Sequence, residues 1–135
     1  MEELKIRREL LAKSLIELKR AIEQMDTYEL SQIYDILRDA TIKRFEICFT
    51  DFWEFLRIYL ESKDSIIKAP TPDKIFLNCL DNSFITKDQF IKLTSMDNDA
   101  KKAQETRDQE VLDAINEKIP SHYETMKKIK DNLSI

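Results

Sequence analysis

Residues 38–63 read RDATIKRFEICFTDFWEFLRIYLESK, and this stretch decides the fold. It holds Phe45, Phe49, Phe52, Trp53, Phe55 and Tyr59, six of the twelve aromatic residues of the chain (seven Phe, four Tyr, one Trp). Phe45, Phe49, Phe52, Leu56 and Tyr59 recur at steps of four, three, four and three, the spacing of one helical face. Cys48, Trp53 and Leu60 widen that face beyond a narrow seam. No Gly or Pro interrupts it, so the spacing predicts one helix of roughly 26 residues, about 39 Å long. An apolar stripe this broad needs cover on more than one side. The expectation is an all-α, up-and-down bundle of four to six helices wrapped around this rod, in a single domain over residues 1–135.

The flanking segments read the same way. In residues 4–25, Leu11, Leu15, Leu18, Ile22 and Met25 form a heptad-like seam, which Leu4 extends past an off-pattern Arg8. Its short run favours a bundle helix packed on the rod over a partner-binding coiled coil. Asp26-Thr27 offers a cap and a break. Residues 28–37 carry Leu30, Ile33, Tyr34 and Leu37, either as a separate short helix or as a forward extension of the rod. Ala69-Pro70-Thr71-Pro72 is the clearest loop, with Thr71 as N-cap and Pro72 as first residue of a short helix burying Ile75, Phe76, Cys79 and Leu80. Asn82-Ser83 ends that helix, and Thr86 with Gln89 makes a capping box for the next, with Phe90, Ile91 and Leu93 as its apolar residues. Residues 97–109, DNDAKKAQETRDQ, read as a surface loop or the exposed part of a helix. The last helix carries Leu112, Ile115, Ile119, Tyr123, Met126 and Ile129, with Pro120 expected to kink or divide it.

Composition excludes several chemistries. Glycine is absent, where ordinary usage would place about nine, so no glycine-cradled phosphate site can be built. A net charge of −4 argues against a free-standing nucleic-acid binder. Two cysteines, Cys48 and Cys79, and one histidine, His122, provide no metal cluster, and no cofactor is implied. No signal peptide or long apolar run is present, which reads as a soluble, cytoplasmic protein without a membrane partner. His122, alone in sequence, reads as a packing or surface residue, and Glu46, Asp51 and Glu54 as solvated or partner-facing edges of the rod.

Arg38-Asp39-Ala40 leading into Lys43-Arg44-Phe45-Glu46, then Phe49, Trp53, Leu56 and Tyr59-Leu60-Glu61, resembles the signature helix of the nucleotidyltransferase substrate-binding-protein family, within the HEPN superfamily of small helical bundles. The Pro-bearing loop and the INEKIP stretch at 115–120 fit the same pattern, while the region around residues 28–35 carries extra residues. The resemblance implies a homodimer that works with a separate minimal nucleotidyltransferase chain in a toxin–antitoxin-like or substrate-presenting pair, with nucleotide or RNA reached through that partner.

Active ribonucleases of the superfamily use Arg, four residues, His, one residue, Tyr. Aligned back from INEKIP, those positions hold Ala100, Glu105 and Arg107, and Arg-x4-His occurs nowhere in the chain. Alanine cannot hold a phosphate and glutamate repels one, so no catalytic residue is assigned. The expected binding residues are Arg44 and Glu46, which match the signature, together with the basic group Lys101, Lys102 and Arg107. Arg44 and Glu46 are read equally as the border of an inter-subunit cleft or as members of surface ion pairs. The first reading is a non-catalytic subunit. The alternatives are a ribonuclease toxin with a rearranged site using Arg107 and His122, and a purely structural helical adaptor.

Overall fold

The computed structural model describes residues 2–28 and 33–134. Among the described residues five helices follow one another: α1 (Glu2–Tyr28), α2 (Tyr34–Ser62), α3 (Pro72–Asp81), α4 (Lys87–Glu105) and α5 (Gln109–Asn132). No strand occurs among the described residues. The all-α bundle expected from the aromatic stripe is therefore the architecture observed, with a helix count inside the expected range.

The rod is α2, and it is the one helix that packs against all four others. Phe45, Phe52, Phe55, Leu56 and Leu60 are completely buried, and Phe49 and Tyr59 nearly so. Trp53 stays partly exposed at the rim of the same core. With 29 residues, α2 begins four residues before the quoted stretch, so Tyr34 to Leu37 extend the rod forward. The expected break at Asp26-Thr27 does not occur, because α1 continues to Tyr28. Leu30, placed by sequence on an apolar face, lies outside the described residues.

The α1 seam lies on the rod. Leu4, Leu11, Leu15, Leu18, Ile22 and Met25 are all buried, and the α1–α2 contact is the most extensive in the bundle. Arg8, the off-pattern residue, donates from Nη1 to the Leu133 carbonyl at 3.2 Å, tying α1 to the end of α5. Ser14, buried on α1, donates to Asp51 of α2.

Punctuation follows the sequence closely. Thr71 and Pro72 open α3, and the Thr86–Gln89 capping box is formed in both directions, at 3.1 and 3.0 Å. Both α2 and α3 end in a paired-carbonyl stop without glycine. Asp64 and Ser83 take the left-handed position, at φ 63° and 60°. Ser65 N–H then reaches Leu60 O at 2.9 Å, and Phe84 N–H reaches Cys79 O at 2.9 Å. One expectation is narrowed and one corrected. Of the two outcomes expected at Pro120, kink or division, division does not occur, because α5 runs through it; Pro120 faces solvent, where helix hydrogen bonds already lengthen and losing one is least costly. Residues 97–105 belong to α4, and Asp97, Asp99 and Ala100 of this polar stretch are buried rather than exposed.

Candidate functional site

Thr106 to Asp108 form a three-residue bend between α4 and α5. Thr106 N–H closes α4 on Lys102 O at 2.9 Å, and Asp108 caps α5 by accepting from Glu110 N–H at 2.9 Å. The bend sets Arg107 at the mouth of a groove of about 420 Å³ against α2, lined among others by Asp39, Lys43, Glu46, Thr106 and Gln109. A second recess of about 240 Å³ shares Lys43 and Glu46 and continues along α2 past Ile47 to Asp51.

One end of this groove is anchored by Arg38, whose side chain is 2% exposed. Its guanidinium donates to Asp113 at 2.9 Å, to Asp39 at 3.0 Å and to Gln109 Oε1 at 2.5 Å. The start of α5 is thereby pinned to the start of α2. Sequence reasoning did not assign this role, although the signal was there: Arg38 precedes Phe45 by seven residues, in register with the aromatic stripe.

The expected binding residues separate. Glu46 lines the groove, and its partial burial pushes its carboxyl above the usual range while Lys43, 3.9 Å away, pulls it back. Arg44, two positions away, points to another side, as i and i+2 residues of a helix must. It pairs with Glu17 of α1 at 2.7 Å, a half-exposed bridge between helices. Lys101 is exposed and pairs with Asp97 at 3.2 Å, and Lys102 is exposed in the last turn of α4. Of the three basic residues of that stretch, Arg107 is the one that lines the groove. At the aligned motif positions, Ala100 is packed in the core and Glu105 is exposed at the end of α4. The groove thus offers mixed charge for holding a polar ligand or partner, and no histidine lines it.

His122 is elsewhere and is not a surface residue. Its Nε2 lies 2.7 Å from Asp99 Oδ2, its ring stacks on Phe45 at 5.3 Å, and Lys118 Nζ donates to Asp99 Oδ1 at 2.9 Å. Burial pushes His122 below its ordinary pKa, with Asp99 opposing and Lys118 adding to the shift. Sequence reasoning missed this cluster, because its members lie 19 and 23 positions apart on two helices. Both thiols are core groups: burial raises Cys48 and Cys79 to about 12, with Asp51 adding to the effect at Cys48.

A family model described as nucleotidyltransferase substrate binding protein like matches residues 7–135. Among solved structures, a Thermus thermophilus protein superposes with a TM-score of 0.67 at 20% identity, covering 83% of this chain and 94% of its own. That likeness concerns the fold. No curated protein matches the chain significantly.

Proposed function

The chain belongs to the nucleotidyltransferase substrate-binding-protein-like family, and from that premise we propose that it is a non-catalytic substrate-binding or regulatory subunit. In this reading it forms a homodimer and partners a separate minimal nucleotidyltransferase chain, as a toxin–antitoxin-like pair. The observation that carries the reading is the groove along α2, where Lys43, Glu46 and Arg107 meet at a surface with mixed charge and no proton-transfer histidine. Beside it, Ile36, Ala40, Lys43, Ile47 and Thr50 form one exposed stripe down α2, which supports a second copy or a companion chain lying against this face.

The ribonuclease reading finds no support within one chain. Arg107 lines the groove, whereas His122 sits 13 residues into α5 from Gln109, about 20 Å along the helix, and lines another cavity. Its Nε2 is already engaged by Asp99.

The test is co-expression with a small nucleotidyltransferase encoded beside this chain, followed by affinity capture and light scattering. The expected result is a stable complex containing two copies of this chain, lost on the charge swap Glu46→Lys with Arg107→Glu. No complex, or one indifferent to the swap, overturns the assignment of the groove.

A further inference from the structure

The seam between α4 and α5 contains a second, smaller cavity whose wall chemistry is unlike that of the α2 groove. It measures about 140 Å³ and is lined by Lys92, Ser95, Lys118, Ser121, His122 and Thr125. At roughly 30 Å³ per water it holds about four or five waters, close to the five heavy atoms of a phosphate or sulfate. Two lysines, two serines, a threonine and a histidine line it, without an acidic residue, and the two ammonium groups are shared with Asp99 and Asp88. In a chain of net charge −4 this is a local concentration of hydrogen-bond donors.

The nearby acids are already engaged. Asp99 Oδ1 accepts from Lys118 and Oδ2 lies 2.7 Å from His122 Nε2, and Asp88, an exposed residue, pairs with Lys92 at 3.3 Å. A hydrogen on Nε2 lets His122 donate to Asp99 Oδ2, and in that tautomer the uncharged ring carries its lone pair on Nδ1. Nδ1 has no hydrogen-bond partner among the described residues, yet the one buried side-chain polar atom without a partner there is Asn116 Oδ1. Nδ1 is therefore not fully buried, and His122 is one of the residues that line the cavity. The wider recess next to it, about 570 Å³, shares Lys92 and Thr125 and extends to Phe84.

We propose that this cavity binds a tetrahedral oxyanion, a phosphate or the phosphate of a monoester, and that binding draws a proton onto His122 Nδ1. The anion accepts from Lys92, Ser95 and Ser121, and the protonated imidazole, held by Asp99 on its far side, donates to it from Nδ1. The groups facing His122 are Asp99 and Lys92 from α4, Lys118 from α5 and the uncharged Phe45 ring from α2. Burial disfavours the charged imidazole, and an anion in the cavity favours it. The proposal stands on this cavity alone and does not depend on the partner assigned above.

Sulfate is the first probe, because its charge is constant across the pH range used. Titration followed by amide and imidazole NMR should shift Ser95, Ser121 and the His122 ring saturably, with about tenfold tighter binding near pH 6 than near pH 8. Ser121→Asp, a change at an exposed position, should abolish the shifts, and Lys92→Ala should weaken binding roughly fivefold. His122→Asn should remove the pH dependence. Inorganic phosphate and phenyl phosphate, compared at one pH, then identify the source: a preference for the monoester assigns the 570 Å³ recess to its organic part, and equal binding assigns free phosphate. Shifts that avoid these residues, or that persist in Ser121→Asp, overturn the proposal, as does sulfate binding of equal strength at both pH values.

Discussion

The α1–α2 seam and the α4–α5 seam are built on opposite plans within one bundle. The first is a run of leucines laid on an aromatic rod, with Ser14–Asp51 and Arg44–Glu17 as polar links. The second encloses an acid, an imidazole and one end of a lysine beside Leu93 and Met96. Apolar burial is roughly additive in area and indifferent to direction, so the first seam takes its strength from coverage. The second depends on three polar groups meeting at hydrogen-bond distance, and each is costly if left alone. The difference teaches where the molecule is merely stable and where it is specific.

Substitutions that strike each plan should separate them. The largest effect belongs to Phe52→Ala, because that ring is fully buried on the helix every other helix touches; urea unfolding should show a loss of about 3–5 kcal/mol. Less than 1 kcal/mol would mean that α2 is not the common support. Leu18→Ala, confined to the first seam, should cost about 2–4 kcal/mol, with the α4–α5 signals in NMR little changed. Asp99→Ala should cost about 1–3 kcal/mol by leaving the His122 N–H without its acceptor, and should shift the His122 ring resonances.

Acid should act on the second seam through His122. The folded pKa of His122 lies below the unfolded value of about 6.5, so between the two the unfolded chain holds the extra proton. The contribution is fully present above pH 6.5 and is lost as pH falls toward the folded value. Urea midpoints measured from pH 7.5 down to pH 5 should decline in the parent chain and flatten in His122→Asn. Arg44→Ala should change stability least, by under 1 kcal/mol, since its bridge to Glu17 is half exposed. A larger loss would mean that the polar links of the first seam matter more than its leucines.

How much of this was readable in the residues follows the same division. The aromatic spacing of α2, the heptads of α1, the Thr86–Gln89 box and the Asn82-Ser83 stop are local signals, and each appears where its spacing put it. The polar run 97–109 misled because burial of Asp99 is made tolerable by Lys118 and His122, residues on another helix that no local pattern links to it. At Pro120 the residues alone left kink and division open, because the cost of a proline inside a helix depends on which side faces water. In the candidate groove, the side chains of Glu46 and Arg107 were legible by type, but their meeting depends on a three-residue bend and a buried Arg38. Arg44 pairs with Glu17, the ion-pair arrangement that its sequence position left open beside a cleft.

The depth of the two cysteines has a practical corollary. Cys48 lies in the middle of the rod and Cys79 on short α3, each inaccessible and far from thiolate at neutral pH. Neither should react with a maleimide until its helix detaches, so the native chain carries two internal clocks for opening. If Cys79 is labelled much sooner than Cys48, α3 leaves the assembly ahead of the rest. Equal labelling times would mean the five helices part company together.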